Sequence, residues 1–364
     1  PFLVYAWLNR WQAQASWVHL WVILLFGLSL AAGTRQPLRN APLAAWLVWN
    51  SLTLLWTWFT FLTHDQYPLM LLMPWMHLLV LVAFYHAATQ FWSRNSLQTL
   101  LCWIARAGLV GVCYGYVQWA GFDQFYRQAA SWITGDSIVG LVGNQMHFSV
   151  YLALLLPIFL WRGHWRWHVV AFASLGLILK TGSATGAVCA LVALAGWAVC
   201  RWPKWTWLPL GGLALAGCQW AAANPGYLDS HGRLETWGKL WAHYLVGDDK
   251  RQLTGVHLGQ IMAASTMEMP KDGGVWRHAH SEWLQAFIEQ GLIGLGLLGW
   301  IVADASRRFW RLRQDDLAVC LGLVFLVFLL SSTLGFPAHL WVLGSLGLLA
   351  YCGVYVLSTE PRMV

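Results

Sequence analysis

Apolar runs long enough to cross a bilayer recur along this chain from end to end, and no other feature limits its fold so tightly. A spanning helix needs about 20 mostly apolar residues, and lipid offers no partner for an open backbone. The runs fall at about 17–32, 41–62, 69–91, 97–119, 138–161, 167–180, 183–200, 205–222, 283–303, 317–334 and 340–357. None alternates with the period of two that a strand requires. Composition agrees: 58% of residues are hydrophobic and 10% charged, against about 25% charged in a soluble domain. The expected fold is all-α, one polytopic transmembrane domain over residues 1–364 with about 11–12 spanning helices. No polar block is large enough for a second domain. Residue 1 is Pro rather than Met, so the sequence is expected to begin inside a longer one, with residues 1–9 as the tail of an earlier span.

A net charge of +7 invites a nucleic-acid reading, but its distribution along the chain points to topology instead. Alternate connections carry Arg35 and Arg39, then Arg94, Arg162 and Arg166, Arg201 and Lys204, and Arg307, Arg308, Arg311 and Arg313. The C-terminal tail adds Arg362, while beyond residue 40 the intervening short connections hold only Arg127 and Lys180. Cytoplasmic loops carry this excess of basic residues. The pattern assigns the C-terminus to the cytoplasm and the long loop, residues 223–282, to the other side. In a bacterial inner membrane that side is the periplasm. Arg106 lies inside a span, where an ionisable residue suggests function or a structural partner.

The 28 Trp cluster at the ends of apolar runs, as at Trp92, Trp119, Trp161, Trp167 and Trp341. Amphipathic rings settle at the headgroup level, so these read as an interfacial belt. The seven Cys all fall in or beside apolar runs without a CxxC pair, and read as small core hydrophobes rather than zinc ligands or disulfides.

Polar chemistry gathers on the outer side. In the long loop, Leu234, Trp237, Leu240, Trp241 and Tyr244 recur at helical spacing, suggesting an amphipathic helix on or near the membrane with Arg233 at its start. Asn144 and His147 in GNQMHFSVYLALLLP, Lys180 in LKTGSATG and His339 in GFPAHLW belong to the same side by topology. Lys180, Arg233 and Arg277 with several His suit phosphate oxygens and proton transfer. Headgroup anchoring is the competing reading of the same residues.

The stretch RHAHSEWLQ, residues 277–285, admits three readings. His278 and His280 stand two apart, about 200° around a helix, so only an extended HxHxE would bring them and Glu282 together on a metal. The run SEWLQAFIEQGLIG enters a span with Ser281 as a plausible N-cap, which is a polar helix start. The third reading is a single functional histidine, His280.

Three segments resemble the O-antigen ligase and polymerase superfamily of bacterial membrane glycosyltransferases. HAHSEWLQAFIEQGLIG is similar to that family's His-Asn/Ser-Glu run ending in Glu-x-Gly-hydrophobic-x-Gly. HGRLETWGKLW followed by LTGVHLG resembles its Gly-Arg-x-x-x-Trp helix and Gly-rich turn. GNQMHFSVYLALLLP resembles its Gly-Asn-x-x-x-hydrophobic span ending in Leu-Pro. The resemblance implies a GT-C-like enzyme, without metal or other cofactor, that moves a glycan from undecaprenyl diphosphate to an acceptor hydroxyl at the periplasmic face. The family's loop His falls on His280 and its loop Arg on Arg233. Its second Arg, in Thr-x-Ser-Arg, is missing here, where Thr181-Gly182-Ser183-Ala184 stands; Lys180 is the substitute.

The expected roles follow. Arg233 stabilises the leaving diphosphate, with Lys180 and Arg277 assisting. His280 takes the acceptor proton as general base. Asn144, His147, Glu282 and His339 contact the glycan or acceptor. A single displacement at C1 inverts the anomeric centre. A lipid A core sugar is the favoured acceptor; another lipid-linked glycan (a polymerase) or a protein hydroxyl (an O-oligosaccharyltransferase) are the alternatives. Membrane lipid is a partner and nucleic acid is not. A lipid-linked glycan transporter or flippase is the alternative of another class, and it should show paired interrupted helices.

Overall fold

The computed structural model describes residues 40–62, 81–123, 138–202, 233–244, 246, 249–256, 281–333, 335 and 337–359. The expected spans at 17–32 and 205–222, and most of 69–91, lie outside them. Among the described residues there is no strand. The helices are α1 (Ala41–Leu62), α2 (Arg94–Trp119), α3 (Gln145–Trp161), α4 (Trp165–Thr181) and α5 (Ala184–Arg201). They continue as α6 (Arg233–Tyr244), α7 (Asp249–Thr254), α8 (Glu282–Arg311), α9 (Asp316–Ser331) and α10 (Trp341–Thr359), with a 3-10 turn at Pro337–His339. Residues 81–91 are helical as well.

Four described helices are long and apolar enough to cross a membrane: α2, α5, α8 and the Val342–Thr359 part of α10. Helices α3 and α9 are apolar but shorter, at 17 and 16 residues. Two boundaries differ from the hydropathy reading for identifiable reasons. The run starting at 138 becomes helical only at Gln145, because Gly140 and Gly143 take φ of 54° and 79° and Asn144 then caps the helix. The run ending near 303 stays helical to Arg311, because buried Asp304 pairs with Arg307 and Arg308 at 2.6 Å each and neutralises the charged turn.

Helix α3 is the centre of the bundle. Leu152, Leu154, Leu155, Leu156, Ile158 and Phe159 are all fully buried, so the helix is enclosed on every face. It packs against α2, α4, α5, α9 and α10. Small residues let the backbones close in: a Cβ at Gly186 would stand 2.2 Å from Ser149 Oγ, and one at Gly108 2.6 Å from Leu155 Cδ1.

Most of the described arginines lie at one set of helix ends. At one end, Arg94 makes a bidentate pair with Asp315 (2.5 and 2.8 Å), Arg201 pairs with Asp316 at 2.7 Å, and Arg308 donates to Ser358 at 2.8 Å. Asn40, beside the expected basic connection at 33–40, donates to Tyr351 at this end at 2.6 Å. The opposite end collects Asn144, Thr181, Ser281, Ser332 and Pro337 through contacts described below. Arg106 is exposed, its guanidinium lying over the Trp103 ring 4.7 Å from the centroid.

Candidate functional site

The start of α8 is built as its sequence suggests. Ser281 is the N-cap, extended at φ −153°, and its hydroxyl accepts from the Leu284 amide at 3.4 Å. Glu282 opens the helix, donating its amide to Ser332 O at 2.8 Å and accepting from the Ala338 amide at 2.8 Å. A carboxylate accepting a backbone N–H is one of the stronger hydrogen bonds a turn can use. It ties α8 to the short 3-10 turn that carries His339. His280 and Arg277 lie outside the described residues, as do the side chains of Arg233 and His339.

Further along, α8 breaks. Gly291 adopts φ 67° and ψ −168°, a conformation essentially reserved for glycine. The break opens the helix wall to the loop segment at 249–256. A Cβ on Gly291 would stand 2.3 Å from Leu253 O, and one on Gly255, itself at φ 76°, would stand 2.4 Å from Glu289 O. The released Ile288 carbonyl accepts from the Val256 amide at 2.8 Å, and the Gln290 carbonyl accepts from Trp49 Nε1 of α1 at 3.1 Å. The Glu-x-Gly of α8 and the Leu-Thr-Gly-Val turn therefore fit one another backbone to backbone.

The same stretch of α8 receives α6. Leu240 and Ile288 are buried together, with Leu284, Phe287 and Val256 packed around them, and Trp241 lies 5.3 Å from the Phe287 ring. The apolar stripe of this amphipathic helix meets the outer turns of α8 through Leu240 and Trp241, while Trp241 stays partly exposed. Glu235 and Lys239 pair at 2.8 Å across its exposed side. Helix α6, which Arg233 begins, and the turn after α7 thus converge on residues 284–291.

Two further segments approach this end. The Asn144 carboxamide oxygen accepts from the Met146 and His147 amides at 2.9 and 3.2 Å, so that group caps α3. His147 is buried in the first turn. Gln145 donates to Thr181 O, joining α3 to the end of α4. Gly335 lies between Met146 and Pro337: a Cβ there would stand 3.9 Å from Met146 Cε and from Pro337 Cδ, so the start of α3 and the 3-10 turn are neighbours. Lys180 reaches the same end but is exposed, its ammonium lying over Trp119 at 5.7 Å from the centroid. Its described contact is an aromatic ring rather than the Glu282 group.

Sequence reasoning misses the buried polar residues on α8. Gln285, Glu289 and Gln290 are each at most 5% exposed, and Gln290 Oε1 has no hydrogen-bond partner among the described residues. Their signal is present as polar residues interrupting the apolar run WLQAFIEQGLIG. It also misses Gln118, whose carbonyl oxygen accepts from Val139 and Gly140 amides at 3.1 and 2.7 Å and holds the approach to Asn144. Compared with known proteins, the chain matches no family model and has no match among curated sequences.

Proposed function

We propose that this chain is a membrane glycosyltransferase of the O-antigen ligase type, moving a glycan from undecaprenyl diphosphate to an acceptor hydroxyl at the periplasmic end of its helical bundle. One observation carries the reading. Segments that resemble the superfamily, far apart in sequence, meet along the first turns of α8: α6 packs on Leu284, Phe287 and Ile288, the Leu-Thr-Gly-Val turn fits the Glu-x-Gly break, and the start of α3 that Asn144 caps neighbours the 3-10 turn held by Glu282. A shared substrate pocket gives independent segments a reason to converge.

In this reading Arg233 binds the diphosphate and stabilises the charge that develops on it, with Arg277 and Lys180 as further cations. His280 accepts the proton of the attacking hydroxyl. The bond from C1 to the diphosphate oxygen breaks as the bond from C1 to the acceptor oxygen forms, with inversion and without a metal. Lipid A core sugar is the acceptor of this reading; a lipid-linked glycan or a protein hydroxyl would make the same fold a polymerase or an O-oligosaccharyltransferase.

The test is the purified protein with a synthetic polyprenyl-diphosphate glycan and a panel of acceptors. Turnover that survives EDTA and disappears in folded His280→Ala and Arg233→Ala supports the proposal. Full transfer by His280→Ala refutes the assignment of the base. The break at Gly291 favours one second reading, since interrupted helices line the sites of transporters. Saturable binding and translocation of the same lipid without turnover would establish that reading instead.

A further inference from the structure

At the end of the bundle away from the proposed active site, we infer a binding site for the phosphate headgroup of an anionic phospholipid, seated between the end of α5 and the α8–α9 turn. A crevice of about 80 Å³ is lined there by Trp197, Cys200, Arg201, Arg313, Gln314 and Asp316. A single water needs about 10–15 Å³ of such space, so the crevice is roomier than one solvent site.

Charge selects the ligand. Eight arginines gather at this end (Arg94, Arg162, Arg166, Arg201, Arg307, Arg308, Arg311 and Arg313) against three carboxylates, Asp304, Asp315 and Asp316. Within the crevice, Arg201 commits its guanidinium to Asp316 at 2.7 Å. Arg313 has no carboxylate partner among the described residues. It donates to Trp310 O at 2.9 Å and lies over the Trp310 ring, 4.8 Å from the centroid. These two contacts hold the guanidinium beside the crevice, and its planar fork of donors suits a phosphate.

The surroundings select a lipid over a free anion. Trp197 lines the crevice, and next to its residues Arg201 and Arg313 stand Trp202 and Trp310, 59% and 65% exposed, beside the exposed Cys200. Amphipathic rings at the ends of apolar helices mark the headgroup layer. An anion held among them brings acyl chains that the outer faces of α5 and α8 can cover. The inference rests on the bundle crossing a membrane and is independent of glycan chemistry.

The experiment is native mass spectrometry of the full chain released from detergent, titrated with phosphatidylglycerol, phosphatidylcholine or inorganic phosphate. Retained phosphatidylglycerol, with phosphatidylcholine much weaker, is the expected result. Arg313→Gln should weaken phosphatidylglycerol about fivefold, corresponding to ~1 kcal/mol per basic residue at an anionic surface. Asp316→Asn should tighten it by releasing Arg201 and removing a like charge. Glycan transfer by Arg313→Gln should equal that of the parent, which separates this site from the proposed active site. Equal retention of both lipids, or undiminished binding by Arg313→Gln, overturns the inference. So does competition by inorganic phosphate at the lipid's own concentration, which would mark a free-anion site. A readout without substitution guards against misfolding: phosphatidylglycerol nanodiscs should slow Cys200 alkylation relative to phosphatidylcholine ones, and equal rates also overturn it.

Discussion

Replacing Gly291 by Ala tests whether the break in α8 exists to receive the 249–256 segment. The new Cβ would lie 2.3 Å from Leu253 O and 2.5 Å from Gly255 N. Ordinary van der Waals contact begins near 3.4 Å, so the overlap is about 1 Å, and it falls on backbone that cannot rotate away. The φ of 67° adds a conformational cost of about 1–3 kcal/mol for a residue with a Cβ. Together these put the penalty at roughly 3 kcal/mol or more, enough to displace the turn or straighten the helix. Gly296, on the same helix, lies in regular helical backbone, and a Cβ there would meet nothing within 4 Å. Ala at that position should be neutral or stabilising by about 0.5–1 kcal/mol, since glycine costs that much in a helix interior. The assay is thermal unfolding in detergent together with hydrogen exchange at the Val256 amide, which Ile288 O protects. Gly291→Ala should melt well below the parent and expose Val256, while Gly296→Ala should do neither. Equal melting of the two variants with Val256 still protected would refute the packing argument.

Three other outcomes follow from the geometry. Phe148 is fully buried against Gly140 and Gly115, so Phe148→Ala should cost about 3–5 kcal/mol in chemical unfolding, while an exposed ring such as Phe172 should cost little. Burial alone would raise the Asp315 carboxyl, but Arg94 and the Leu317 and Ala318 amides outweigh it and hold the group below its ordinary value. A depressed carboxylate contributes stability above its unfolded value, about 3.9, and loses it as pH falls through the folded one. The melting difference between parent and Asp315→Asn should therefore be flat above about pH 5 and vanish in stronger acid. Glu282→Ala should release the Ala338 amide to hydrogen exchange while leaving Val256 protected, because the two contacts belong to separate parts of α8.

Much of the architecture is written locally. Helix existence follows run length, and the arginines mark helix ends, because both depend on how each residue partitions between water and an apolar surrounding. Ser281 is visible as a cap because capping is decided within four residues. Positions 140–144 mislead a hydropathy reading because apolar content says nothing of φ, and two glycines there take left-handed values.

What the sequence alone determined is the solvent each segment prefers: which runs leave water, which ends stay polar, and which side each is expected to face. That is a property of single residues and needs no partner. What only the tertiary structure decided is which polar groups share a neighbourhood. The fit of Gly255 against Glu289 and Gly291 against Leu253 joins residues more than 30 apart through backbone contact, which no periodicity encodes. The placement of Lys180 over Trp119 and the turning of α6 onto α8 likewise depend on neighbours that the chain meets only after folding.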